Sequence, residues 1–475
     1  MTRTVPANLK RNAENGMQSF WSSKKMTDDY LIQKKPLNAL LLFSLPIIIG
    51  NLFQQTYTMA DSAIAGRFVG ERALAAIGAS SSLTNIFICI AIGGGIGASV
   101  MISRYFGAKD FTRMKTAIYT ALIAFLIISL LLGAVGLLFS RSIMIVLNTP
   151  DDTLDMAVVY LNIYFLGLPF LFMYNVLSSI FNALGKSRIP LVFLIFSSMF
   201  NIFLDWISVT TFQMGIAGVA WATLLAQGIS ALLSFVVLKA QLKKICGSSE
   251  QAFSKKELLL MSRIALPSIL QQSTVSIGMM LVQSVINGFG SESLAGFSAA
   301  MRIESMCIVP MAGIGNALSS YTAQNIGAGR KERVVQGYHA ATWMIIGCAV
   351  IICAVLEIFH GPIVELFLGK SGTTAAMQTG NGYLLFMGWF FCLFGFKMTV
   401  DGLLRGAGDM KMFTVANLVN LTIRVALAMT LAPHFGIAFV WYAVPIGWLA
   451  NWIISFAQYS TGKWQSMSVL KRANA

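Results

Sequence analysis

Charge is what this chain has least of. Only 11% of its 475 residues are Asp, Glu, Lys or Arg, against 56% hydrophobic, and the mean hydropathy is +0.72. So little polar surface excludes a water-soluble globule. Histidine is scarce, with three residues, and the six cysteines (Cys89, Cys246, Cys307, Cys348, Cys353, Cys392) show neither CxxC nor His-flanked spacing. The cysteines therefore read as apolar fillers, and no metal centre is expected. Alternating apolar and polar residues are missing too, which argues against membrane strands.

What remains is a series of apolar stretches of about 20 residues, each able to cross a hydrocarbon core of about 30 Å as a helix. Twelve spans are predicted: 38–64, 73–102, 117–140, 157–182, 189–211, 216–238, 258–288, 294–320, 337–358, 380–403, 412–432 and 436–459. The fold class is thus all-α integral membrane. Residues 1–36 are polar, carry Arg3, Lys10, Arg11, Lys24, Lys25, Lys34 and Lys35, and lack a short apolar core ahead of a cleavage site. They read as a retained tail, not a signal peptide.

The net charge of +15 invites a nucleic-acid partner. Sorting the 34 Lys and Arg by side removes that reading. With the N-terminus inside, 27 fall on the inner side, Arg67, Arg72, Arg141 and Lys370 fall on the outer side, and Arg302, Lys397 and Arg424 lie within spans. The positive-inside rule places both termini in the cytoplasm, and no nucleic acid is expected to bind.

The chain also repeats itself at an offset of about 220 residues. Leu45-Pro46 returns as Leu266-Pro267, Gln54-Gln55 as Gln271-Gln272, GERALAA from Gly70 as GSESLAG from Gly290, and Gly107-Ala108 as Gly327-Ala328. The NALGK turn around Gly185 corresponds to RGAGD around Gly408, and GIAGVAWAT from Gly215 to GIAFVWYAV from Gly436. Six spans per repeat make the halves parallel, a transporter signature with a central cavity between lobes. The expected organisation is a tail (1–36), an N-lobe (37–239), an inter-lobe linker (240–257), a C-lobe (258–460) and a C-terminal tail (461–475), both tails and the linker being cytoplasmic.

Asp61 and Asp205 each follow a proline by 15 residues, Pro46 and Pro190, in apolar runs. At 1.5 Å per residue both lie about 22 Å along outward-running helices. A carboxylate at membrane depth costs about 2.5 kcal/mol or more unless paired, so its default reading is an ion or proton site. Asn201 shares a helix face with Asp205, and Thr223, entering from the outer side, reaches a similar level. Together they offer hard oxygen ligands for an alkali cation or a proton trap. The alternative is structural: Asp61 capping a helix end and Asp205 bonding nearby backbone. In the repeat alignment Asp61, Asn201, Asp205 and Thr223 map to Val282, Arg424, Ala428 and Val444. That predicts one cation site, in the first lobe.

The remaining polar groups in spans are read more simply. Gln54, Gln55, Gln271 and Gln272 are cavity candidates or interhelical bonds, Met279 belongs to an adaptable Met-rich stretch, and Arg302 and Glu304 do not share a face but could line the cavity. Lys397 and Asp401 are expected to pair at the interface with the lysine snorkelling. Gly93, Gly94, Gly95 and Gly97 serve close helix packing, since no P-loop lysine follows them.

These residues resemble the multidrug and toxic compound extrusion (MATE) transporters over about residues 36–460. The resemblance is carried by LPIIIGNLFQQTYTMADSAIAGRFVG in the first span, NIFLD in the fifth, GIAGVAWATL in the sixth and the RGAGD turn. It implies twelve helices in two pseudo-symmetric six-helix lobes, alternating access, and export of mostly cationic amphipathic compounds against inward Na+ or H+. Matched position by position, Asp61, Asn201, Asp205 and Thr223 fit the first-lobe cation site of the DinF-like branch. The NorM-like branch has acids in spans seven and ten; here span seven has none, and Asp401 sits too near the RGAGD turn to match. The expected protein is a monomeric antiporter of a bacterial inner membrane, with a small-molecule export substrate, lipid around it, and no cofactor beyond H+ or Na+ as coupling ion. A dedicated exporter or flippase of one natural product or lipid-linked precursor is the alternative. An enzyme is not expected.

Overall fold

A computed structural model of the chain describes residues 29–147, 149–245, 248–249, 251–369 and 372–465. The first 28 residues and the last ten, with Cys246 and Lys370, lie outside the described residues. Twelve helices are long and apolar enough to cross a membrane. They are α1 (Pro36–Ile64), α2 (Glu71–Gly107), α3 (Phe111–Val146), α4 (Asp151–Ala183), α5 (Arg188–Thr210), α6 (Gly215–Lys244), α7 (Lys255–Asn287), α8 (Ser291–Gly327), α9 (Lys331–Leu368), α10 (Thr374–Ala407), α11 (Met410–Phe435) and α12 (Ala438–Ser460).

Every predicted span has its helix, and most are longer than their apolar middles. α9 runs for 38 residues, about 57 Å, where the apolar core is 337–358. Polar caps carry several helices past the hydrophobic run: Asp110, Ser254 and Thr373 accept from the backbone N–H three residues on at 3.1, 3.4 and 3.3 Å, giving the first turns of α3, α7 and α10 a partner. Between helices, three matched glycine pairs take positive φ in both copies: Gly70 and Gly290 (109° and 91°), Gly185 and Gly408 (both 75°), Gly215 and Gly436 (57° and 98°). The repeat seen in the letters is therefore a repeat of backbone joints.

The helices pack mainly as α1–α6 and α7–α12, with α1 and α7 crossing to the other group: α1 lies against α5 and α8, α7 against α11 and α2. The α2–α7 crossing is built on the predicted glycines. A Cβ at Gly93 would lie 2.6 Å from the Ile269 backbone and one at Gly97 2.7 Å from the Met261 carbonyl, while Gly94 and Gly95 admit Phe125 of α3 and Ser179 of α4. At Gly93 and Gly97, where the neighbour is backbone, nothing larger than glycine fits without a shift.

The two ends of the bundle differ. At the end carrying the turns at 108–110, 184–187, 328–330 and 408–409, the basic end, residues 97–107 of α2, 317–325 of α8 and 397–407 of α10 are buried on every side. A helix buried all round is enclosed by other helices. Toward the far end, α1 stands free around most of its circumference from Leu52 to Met59.

The expected tail ends sooner than residue 36. A short helix, Tyr30–Gln33, is seated in the basic end, with Leu31 fully buried. The Tyr30 hydroxyl donates to the Gly185 carbonyl at 2.8 Å, while Asn325, Arg330 and Arg333 donate to the carbonyls of Leu31, Ile32 and Lys34 at 3.3, 2.9 and 2.6 Å. Tyrosine and leucine among the charges supply the apolar anchor.

Candidate functional site

Asp61 lies near the end of α1, just before the helix widens into a π-helical turn, Ala65–Val69. Such turns re-aim side chains and frequently mark functional sites. Asn201 and Asp205 are one turn apart on α5 and buried at 2% and 0% exposure, and Thr223 faces them from α6. With the Asn201 amide oxygen turned to Thr223 it accepts from the Thr223 backbone N–H at 3.2 Å, and the amide nitrogen donates to Asp205 Oδ2 at 3.3 Å. That orientation follows from the hydrogen-bond network. The carboxyl groups of Asp61 and Asp205 face one another. Oδ1 of each is shut off from solvent and has no hydrogen-bond partner among the described residues.

The fold thus gathers all four residues singled out in the sequence, and adds two. Tyr57 and Tyr160 lie near enough to both carboxyls for the charges to interact, and Tyr57 lies in the neighbourhood of Thr223. Tyr57 is four residues before Asp61, one turn away on the same face, and that spacing was a readable signal. Tyr160 arrives from α4 and had none. A small cavity next to the cluster, between α4 and α6, is lined in part by Tyr160, Tyr164, Thr223 and Gln227.

The matching positions of the second half are apolar. Val282, Ala428 and Val444 are buried at 6%, 0% and 4% exposure in one hydrophobic cluster with Ile286 and Trp441. The Tyr383 hydroxyl donates to the Glu304 carboxylate, and Arg424 lies near enough for its charge to act on both, its Nε having no partner among the described residues. Glu304 is buried and committed to those partners, so it does not line a cavity, whereas Arg302, two residues away, is exposed.

Lys397 and Asp401 correct the expectation of an interfacial pair. They form a 3.0 Å ion pair at 5% and 1% side-chain exposure, and Asp401 also accepts from Ser455 at 3.0 Å and Asn417 at 3.4 Å. The lysine cannot snorkel because α8, α11 and α12 enclose this stretch of α10. Of the cavity candidates, Gln54 is exposed and Gln55 half-buried on α1; on α7 Gln271 is buried, Gln272 half-buried and Met279 38% exposed. Gln54 and Gln55 share α1 with Asp61, whereas Gln271, Gln272 and Met279 on α7 and Arg302 on α8 lie on helices that contribute nothing to the carboxyl cluster.

Two sets of six membrane-length helices with buried ionisable groups define a polytopic helical transporter rather than an enzyme. Known sequences narrow the class. The family model described as MatE matches twice, over residues 46–207 and 267–430. The chain belongs to the MatE family. It is 29% identical over 439 residues to "Probable multidrug resistance protein YpnP" of Bacillus subtilis (strain 168), covering 92% of this chain and 98% of that protein. It is 24% identical over 436 residues to "Multidrug export protein MepA" of Staphylococcus aureus (strain MSSA476), covering 88% and 92%. A solved MOP superfamily transporter from Pyrococcus furiosus Vc1 (DSM3638) has the same fold, with a TM-score of 0.86 at 24% identity over 94% of this chain and 99% of that one.

Proposed function

We propose that this chain is a cation-coupled secondary antiporter that exports amphipathic, often cationic compounds by alternating access, with H+ or Na+ as the coupling ion. The observation that carries this reading is the pair of facing carboxyls, Asp61 and Asp205, with Asn201 and Thr223 against them. Two carboxylates sharing a water-poor site cannot both stay charged without a cation or a shared proton. Oxygen donors alone suit a hard ion, and the unpartnered Oδ1 atoms leave capacity to hold one. The names of YpnP and MepA support a multidrug range, and the matched first-lobe residues support the DinF-like branch.

The basic end faces the cytoplasm and the far end the outside of a bacterial inner membrane. An ion arriving from outside neutralises the carboxyl pair and draws α1, α5 and α6 together. Substrate affinity falls as α1 moves, because Gln54 and Gln55 ride on the same helix. Release of the ion to the cytoplasm restores the repulsion and the substrate site. Coupling requires only that the ion bind the two states unequally.

The test is uphill export of a cationic dye from proteoliposomes, with Na+ and pH gradients imposed separately. Wild type is expected to respond to one gradient and Asp205→Asn to neither; full activity in Asp205→Asn would sink the mechanism. Transport of one natural product or lipid-linked precursor alone, with no dye export, would favour the dedicated exporter instead.

A further inference from the structure

The basic end is shut by two contacts that mirror each other. Arg104 of α2 and Gln324 of α8 occupy matching places in the repeat, each three residues before a glycine, Gly107 and Gly327. Arg104 Nη2 donates across to the carbonyls of Gly406 and Ala407 at 3.2 and 2.7 Å. Gln324 Nε2 donates across to the carbonyl of Ala183 at 2.7 Å. Ala183 and Gly406 are themselves matched residues of the NALGK and RGAGD turns. Each donor thus reaches the end of the fourth helix in the opposite half, where the last carbonyls have no partner within their own helix and carry its partial negative charge.

The two glycines let the backbones meet. A Cβ at Gly107 would lie 2.0 Å from the Gln324 carbonyl oxygen, and one at Gly327 2.1 Å from that of Arg104. Ser99 and Ser320 lie 3.5 Å apart, Oγ to Oγ, farther along the same seam. Every one of these contacts joins one half to the other, so any state that opens this end breaks them together.

The mirror is imperfect in one respect. Arg104 is 1% exposed, its cross-lobe hydrogen bonds go only to backbone carbonyls, and its Nε and Nη1 have no partner among the described residues. Gln324, fully buried, strands a single neutral oxygen. A buried cation with unfilled donors is far costlier than a buried amide, and opening the seam would hydrate it.

We infer that Arg104 and Gln324 are the two halves of a reciprocal clasp that holds the basic end closed, and that the Arg104 half is the deliberately weaker one, releasing first. They are positioning residues for the transport cycle and touch neither ion nor substrate. The inference rests on the alternating-access reading above and, for the side named, on its orientation. Gln324 shows that a glutamine spans this gap, so Arg104→Gln keeps a donor while removing the stranded charge, and closure tightens. Gln324→Ala removes a donor, and closure loosens.

The experiment uses the full chain with its native cysteines replaced by alanine and Ser320→Cys placed in the seam. Labelling by a membrane-impermeant maleimide is timed in inside-out and right-side-out vesicles. Arg104→Gln is expected to slow labelling from the cytoplasmic face about fivefold and Gln324→Ala to speed it about fivefold, the factor of one hydrogen bond. The double variant should return near the starting rate. Should Arg104→Gln fail to assemble, Arg104→Lys, which keeps the charge but loses the forked donor, should label faster than the parent. Equal rates in all variants, or faster labelling in Arg104→Gln, would overturn the clasp. Labelling only from the outer face, with the order of rates unchanged, would overturn the orientation and leave the clasp standing.

Discussion

At the depth where the first half of the molecule holds Asp61, Asn201, Asp205 and Thr223, the second holds Val282, Arg424, Ala428 and Val444. The second half is not short of charge. Its Lys397–Asp401 pair is satisfied internally and further held by Ser455 and Asn417, and Glu304 is held by Tyr383 with Arg424 beside it. In the first half the acids face each other instead, with no ion pair to either of them among the described residues. Like charges opposed need something from outside to relieve them; opposite charges paired do not. The same scaffold thus carries two opposed acids in one lobe and, in the other, an acid and a base paired on one helix and braced by its neighbours.

The sharpest way to break this contrast is Asp205→Asn, which should reduce gradient-driven export to background while the protein keeps its elution profile and thermal transition. Next comes Lys397→Met, which leaves Asp401 buried without its partner. Stability should fall by about 3–5 kcal/mol, read as denaturation in detergent, and adding Asp401→Leu should recover most of the loss; a neutral single variant would show that the pair is not a structural element. Gly97→Ala forces a Cβ to 2.7 Å from the Met261 carbonyl and should destabilise by about 1–3 kcal/mol, whereas Gly78→Ala, with open space around it, should be neutral or slightly stabilising. The smallest effect belongs to Tyr57→Phe. Losing the one hydroxyl that Tyr57 brings near the carboxyls should raise the ion concentration for half-maximal export about twofold to tenfold with the maximal rate kept, and an unchanged ion dependence would separate Tyr57 from the cluster.

All twelve spans and the repeat were legible because apolar length and turn glycines are local signals. The four clustered residues were legible because an oxygen-bearing side chain in a long apolar run is costly enough to demand a reason. Tyr160 was not, since its place depends on how α4 packs against α1 and α6. Lys397–Asp401 was assigned to the interface because depth was judged by distance from the RGAGD turn, and only tertiary packing reveals that the end of α10 is enclosed. Arg104 is hidden from hydropathy for a related reason: the apolar run stops at residue 102, but the helix continues to Gly107. Hydropathy reads composition, and the enclosure of α2 by its counterpart α8 is not composition.

The paired left-handed glycines at 70 and 290, 185 and 408, and 215 and 436 also speak to ancestry. If one gene segment was copied and fused, every site in the second copy was free to drift where the first sufficed. The oxygen-bearing side chains drifted, but the joints did not. A turn that brings the next helix back against its neighbour is needed in each half, while a polar cluster can be kept in one alone; joints are inherited as pairs, and side-chain chemistry can be inherited singly.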